Sequence, residues 1–199
     1  MGIEYKKNTP LGLYEGASTL ILDIEYKIAL KFYFYIMIIN RTNITYRKAE
    51  VKDANVLAEY RVKFLNEIFN IDVHSETEQL RIELVDYFRQ SLTNNSLIAW
   101  LAKYENKIIS TSSLVIWQAP LSYSGLGKKG KRGYILNMFT LKEFRKNGIA
   151  SVLLEKLLWE AKSLNLEFVH LHATDDGLGV YKKIGFKEPL YPELKLKID

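Results

Sequence analysis

The sequence predicts an α/β domain, and three observations carry that prediction. Segments with the period of a strand interleave with segments with the period of a helix from about Ile44 onward. A strand-like run, Gly133 to Thr140, leads through the basic glycine turn Arg145-Lys146-Asn147-Gly148 into an apolar-periodic helix, Ile149 to Leu164. A second strand and a short helix follow and end in Tyr181-Lys182-Lys183-Ile184-Gly185-Phe186. The 199 residues suffice for one domain with a proper core and leave room for an appendage.

The domain opens with a short strand, Ile44 to Ala49. Asp53 is a helix cap by residue type. Ala54, Leu57, Ala58, Arg61, Phe64, Leu65 and Ile68 then recur at helical spacing. After a turn at Asn70 to Asp72 comes a second helix, about Ser75 to Leu92, with Leu80, Leu84, Tyr87, Phe88 and Leu92 on its apolar face and Thr93-Asn94-Asn95 at its end. Two strands, Leu97 to Tyr104 and Lys107 to Trp117, flank Glu105-Asn106, the length of a tight hairpin turn. A glycine-containing loop, Gln118 to Arg132, leads to the strand ending at Thr140. After the motif helix come a strand at Phe168 to Ala173, a short helix near Leu178 to Lys183, and a final strand near Glu193 to Ile198.

Residues 1–42 read differently and form an N-terminal extension ahead of a domain over 43–199. Leu20 to Tyr26 ends in alternation, and Phe32 to Ile39 is aromatic and β-branched, as a strand buried on both faces would be. Three readings stay open: a dimerisation or membrane-surface element, a hairpin covering one edge of the domain, or a natural start at Met37. The apolar run is preceded by Asp23 and Glu25 rather than by the basic region of a secretory signal. The run is also well short of the ~20 residues that span a bilayer.

The basic glycine turn has a physical logic. The first N–H groups of a helix have no partner inside it and carry the positive end of the helix dipole, so an anion is stabilised there. Gly148 has no Cβ and lets a ligand approach the backbone. Arg145 and Lys146 add positive charge. Together they describe a pyrophosphate site.

The pattern Arg145-x-x-Gly148-x-Ala150 between a strand and a helix resembles the acyl-CoA-binding motif of the Gcn5-related N-acetyltransferase (GNAT) family. The downstream Tyr181-x-x-x-Gly185-Phe186 is similar to that family's Tyr-x-x-x-Gly-Phe segment. The resemblance covers about Ile44 to Asp199. It implies a GNAT-like mixed central sheet flanked by helices, in the order β-α-α-β-β-β-α-β-α-β, with acetyl-CoA as co-substrate.

Acyl transfer from a thioester to an amine requires a held, polarised carbonyl, a deprotonated amine and a neutralised thiolate. By the resemblance, the backbone of Met138, Phe139 and Thr140 pairs with the pantetheine arm like an added strand. Arg145, Lys146, Asn147, Gly148, Ile149, Ala150 and Ser151 wrap the pyrophosphate. A backbone N–H near Met138 or Phe139, where the family often carries a bulge, polarises the carbonyl. Tyr181 protonates the thiolate: a phenol near pKa ~10 suits a thiol near ~8.5. The general base varies within the family. His170 and His172 share a strand face, and His74 and Glu76 open the second helix, but no motif selects among the four. Where relatives carry an Asn against the pantetheine, this chain has Ala173-Thr174-Asp175-Asp176, which reads equally as a helix cap.

There is no cysteine, so neither disulfides nor thiolate nucleophiles enter, and three histidines do not suggest a metal site. The net charge of +5 favours anionic partners, and CoA is one. The run Lys128 to Arg132 reads as a solvated basic loop or as a contact for an acidic group. Trp100 and Trp117 read as core. The expectation is a cytoplasmic N-acetyltransferase moving an acetyl group directly to a primary amine of a small molecule or peptide. It uses no metal, binds neither nucleic acid nor membrane, and by the family's habits forms a homodimer. The rivals are a non-catalytic CoA-binding module and a basic nucleic-acid-binding domain.

Overall fold

A computed structural model of the chain describes residues 26–27, 43–70, 74–121, 123 and 130–198, with the backbone alone at 74–76. The chain divides into two compact units, Met1–Ile44 and Thr45–Asp199. In the first, Tyr26 and Lys27 are helical. The rest of the alternating Leu20 to Tyr26 run and the Phe32 to Ile39 run lie outside the described residues.

Five strands stand side by side in chain order: β1 (Ile44–Lys48), β2 (Leu97–Tyr104), β3 (Lys107–Gln118), β4 (Lys131–Thr140) and β5 (Val169–His170). The helices are α1 (Ala54–Phe69), α2 (His74–Thr93), α3 (Ile149–Ser163) and α4 (Asp175–Ile184). β2–β3 and β3–β4 are antiparallel, and β4–β5 is parallel. The sheet is therefore mixed, as the sequence implied.

Alternation along β2 assigns its two faces. Leu97, Ala99 and Leu101 pack with Leu57 and Ala58 of α1 and Phe88 of α2. Trp100 points the other way, onto the cluster of Leu114, Ile135, Leu154, Leu157 and Ala161. On α3, Ile149, Leu153, Leu157 and Ala161 repeat every fourth residue and are all buried; Ile149, Leu153 and Leu157 each contribute roughly 1.5–3 kcal/mol if their large side chains leave water completely. Helices thus cover both faces, and the central strands are buried on both sides.

The β2–β3 turn is the expected two-residue hairpin, with Tyr104 opposite Lys107 and Glu105 left-handed at φ 52°. At the far end of β3 the Ala119 N–H donates to Gly130 O at 2.9 Å. Gly130 has φ +66°, and a Cβ there would sit 2.1 Å from the Ala119 carbonyl oxygen, so only glycine fits.

Four expectations differ from what formed. The strand expected over Phe168 to Ala173 shrinks to Val169–His170, because ladder pairing with β4 ends at Gly133–Val169 and Tyr134–His170. No strand forms at Glu193 to Ile198; Leu194, Leu196 and Ile198 alternate as read but are 80–90 % exposed. Asp53 precedes α1 without capping it through its side chain. Its carboxylate instead accepts from the Glu50 N–H at 2.8 Å and from both Arg47 nitrogens at 2.7 Å. Lys131 and Arg132, read as loop, belong to β4.

Candidate active site

β4 runs directly into the glycine turn. Lys146 and Gly148 are both left-handed, at φ 60° and 77°, and such alternation turns successive N–H groups into one concavity. The Asn147 amide staples the turn by donating to Phe144 O at 3.2 Å and Arg145 O at 3.1 Å. No acidic residue occupies the first turn of α3, so the positive end of its dipole is not neutralised from within. A Cβ at Gly148 would meet nothing within 4 Å. The space above this backbone is open, and the donors, dipole and Lys146 suit a pyrophosphate.

Arg145 is differently engaged from the expectation. Its NH1 and NH2 donate to the two carboxylate oxygens of Glu67, at the end of α1, at 2.7 and 2.8 Å. Its Nε donates to Thr140 O at 2.9 Å, and the guanidinium lies over Phe139. The side chain bolts the turn to β4 and α1, and what it presents toward the turn is its backbone.

A bulge is present on β4. Thr111 pairs with Phe139 and Ser113 with Leu136, so Asn137 and Met138 together face the single residue Ser112 of β3. Asn137 is left-handed at φ 56°, fully buried, and donates from Nδ2 to Leu57 O of α1 at 3.2 Å. β3 supplies hydroxyls to the carbonyls here. Thr111 Oγ1 donates to Asn137 O at 3.0 Å, and Ser110 Oγ donates to Phe139 O at 2.8 Å. This accounts for two of the four buried hydroxyl residues, Ser110 to Ser113, in the middle strand; Ser112 Oγ donates to Trp100 O of β2 at 3.4 Å, and Ser113 Oγ is buried without a hydrogen-bond partner among the described residues. That run was the available sequence signal for the bulge. Asn137 is the residue that sequence reasoning missed.

Tyr181 projects from α4. Its ring packs edge-on to Phe186 and against the α3-side core, and burial pushes its phenol above the usual range. Thr174 caps this helix by accepting the Gly177 N–H at 3.3 Å, so Asp175 and Asp176 fall in the first turn.

Where β4 and β5 part, a chain of polar contacts joins three segments. Tyr134 Oη lies 2.5 Å from His172 Nδ1, and His172 Nε2 lies 3.1 Å from Glu193 Oε2. His170 stacks on Trp117 at 4.8 Å and meets the Tyr134 ring edge-on. Trp117 is therefore in ring contact rather than simply core. Burial holds the His170 imidazole below its usual range. The side chains of His74 and Glu76, and Lys128 and Lys129, lie outside the described residues. Arg132 pairs with Glu167 at 3.3 Å and lies over Phe168. Among the described residues no group of His, Asp and Glu is placed to hold a metal ion, and no helix is long and apolar enough to cross a membrane. A cavity of about 920 Å³ between α3 and the Ile184–Lys187 segment is lined by Trp159, Leu166 and Phe186. It includes none of the turn residues.

Residues 65–186 match the model of the acetyltransferase (GNAT) family. A predicted acetyltransferase from Clostridium acetobutylicum, solved with acetyl-CoA, is 37 % identical, with 76 % of this chain and 96 % of that one covered and a TM-score of 0.67. A GCN5-related N-acetyltransferase from Ralstonia eutropha is 20 % identical over 77 % and 98 % of the two chains, with a TM-score of 0.66. Glucosamine-6-phosphate N-acetyltransferase from Arabidopsis thaliana is 19 % identical over 77 % and 97 %, with a TM-score of 0.56. These last two share the fold. No curated protein matches the chain.

Proposed function

Because this chain belongs to the Gcn5-related N-acetyltransferase family and is an acetyl-CoA-dependent acyltransferase, we propose that it moves the acetyl group directly to a primary amine of a small molecule or peptide. The observation that carries the reading is the pairing of a bulged β4 with the open turn that follows it. The turn gives the pyrophosphate its N–H donors. The pantetheine arm lies along Met138, Phe139 and Thr140 in the gap that opens beyond Tyr134 and His170. A backbone N–H released by the bulge meets the carbonyl oxygen where negative charge develops.

The neutral amine attacks the thioester carbon, the tetrahedral intermediate collapses, and the C–S bond breaks. Tyr181 gives its proton to the departing sulfur. Burial keeps that phenol protonated at neutral pH, the state in which it can donate. One amine proton is taken up in exchange, so CoA leaves as a thiol and the product is an amide. No step calls for a covalent enzyme intermediate, and the chain has no cysteine to form one.

Calorimetric titration of acetyl-CoA, with Gly148→Glu as control, tests this directly. The expected result is binding by the wild-type protein that the control abolishes, followed by CoA thiol release when an accepted amine is added. A folded wild-type protein that does not bind acetyl-CoA refutes the reading.

A further inference from the structure

We propose that Tyr134, His172 and Glu193 form a proton relay that takes a proton from the acceptor's ammonium group. The inference rests on the transferase reading above and supplies the general base that it lacks. An amine is mostly protonated at neutral pH and cannot attack until a proton leaves, so a positioned base is needed.

The geometry is that of a phenol, an imidazole and a carboxylate in series. Tyr134 Oη stands 2.5 Å from His172 Nδ1, and His172 Nε2 stands 3.1 Å from Glu193 Oε2. With the Nε2 proton donated to Glu193, Nδ1 is the acceptor for the Tyr134 hydroxyl. The step balances. The ammonium nitrogen gives a proton through a bridging water to Tyr134 Oη, Tyr134 passes its own proton to His172 Nδ1, and the imidazolium is held by the Glu193 carboxylate until it returns the proton to solvent. The second proton lost by the nitrogen balances the one that Tyr181 delivers to the thiolate.

Position supports the role. Tyr134 is the last β4 residue paired with β5, so its ring stands where the gap opens. The bulge lies about three residues further along, roughly 10 Å of strand. That distance accommodates an acetyl group, the amine and a bridging water. The charged and titratable groups facing the chain are Arg61 of α1, Arg132 of β4, His170 of β5 and Glu193. Burial raises the Tyr134 phenol, so it stays protonated and can donate to the ring. His170 is held neutral by its own burial and adds no competing charge. Glu193 therefore opposes Arg61 and Arg132 where an ammonium would arrive.

The test compares wild type with His172→Gln, Tyr134→Phe and Glu193→Gln. Acceptors are p-anisidine, glycine ethyl ester, hydrazine and hexylamine, which run from weakly to strongly basic, and thiol release is followed against pH. Acetyl-CoA affinity is measured separately by calorimetry. The expected outcome for His172→Gln is about a hundredfold loss of kcat with the most basic amine accepted and less than about threefold with the least basic. Acetyl-CoA affinity stays unchanged. Glu193→Gln follows the same order with smaller losses. A loss that is uniform across the amines assigns these residues a structural role and overturns the relay, as does full activity of His172→Gln. Acetyl-CoA binding without thiol release by the wild type with any amine overturns the transferase reading and the relay with it.

Discussion

Arg145 and Glu67 lie 78 residues apart in sequence and meet in a two-pronged ion pair of 2.7 and 2.8 Å between the end of α1 and the turn before α3. Both side chains are about one-third exposed, so the pair adds less than about 1 kcal/mol to stability. Its weight falls on charge at the anion site. Glu67→Gln removes a negative charge while Asn147 and the Arg145–Thr140 bond still hold the turn. Acetyl-CoA is expected to bind at least as tightly, with a steeper salt dependence. Arg145→Gln leaves a carboxylate facing the ligand and weakens binding about tenfold, or about 1.4 kcal/mol. Calorimetry showing the reverse order would count against an anion site here.

Tyr181→Phe keeps the ring packing and removes only the proton donor. A fall in kcat of about a hundredfold is expected, with acetyl-CoA affinity within about twofold of wild type. Because burial raises the phenol above its ordinary value, any loss of rate from its ionisation lies on the alkaline side. Tyr181→Phe should lack that limb. Equal losses in kcat and in affinity would reduce Tyr181 to a packing residue.

Asn137 separates backbone conformation from side-chain bonding. Asn137→Gly keeps φ positive and loses the amide bond to Leu57, at a cost of about 1 kcal/mol. Asn137→Ala loses that bond and forces an alanine into the left-handed region, adding roughly 1–3 kcal/mol. The alanine variant should be the less stable in urea and show the lower kcat. If the two variants behave alike, the left-handed bulge residue is not what shapes the strand.

Asp53 offers a pH-dependent test of the fold. The Arg47 guanidinium holds its carboxyl below the usual range, and burial opposes that only in part. A depressed folded value means that the contribution is present above about pH 4 and lost as pH falls through the folded value. Asp53→Asn should lower stability by about 1–3 kcal/mol at neutral pH. The gap to wild type should close on acidification. A gap independent of pH would mean that the charge is not what matters.

Much of this was legible in the sequence, for identifiable reasons. The 3.6-residue period of α1, α2 and α3 and the two-residue spacer at Glu105-Asn106 are local properties, and the structure keeps them. Period-2 alternation at Leu194, Leu196 and Ile198 was also local, but it says only which residues share a face. It does not say that a neighbouring strand exists, and none pairs with them among the described residues. The glycine turn could be read because its donors are backbone groups whose direction follows from the helix start. The Arg145–Glu67 pair and the Tyr134–His172–Glu193 chain join distant positions, which no spacing rule reaches. The hydroxyl run on β3 lay between: visible in the sequence, but meaningful only once β4 was seen to carry an extra residue.

The short parallel ladder between β4 and β5 has a mechanical consequence. Two residue pairs, with the Gly133–Phe168 and Lys131–Glu167 backbone bonds beside them, are the backbone bonding that joins β5 to the rest of the sheet. The final fifth of the domain should therefore open as its own unit, with amides from Val169 to Ile184 exchanging faster than those of β2 and β3. A pantetheine arm laid into the gap would stand in for the missing strand. Acetyl-CoA should then slow exchange on both sides of the gap together, so that binding the substrate is also the last step in closing the sheet.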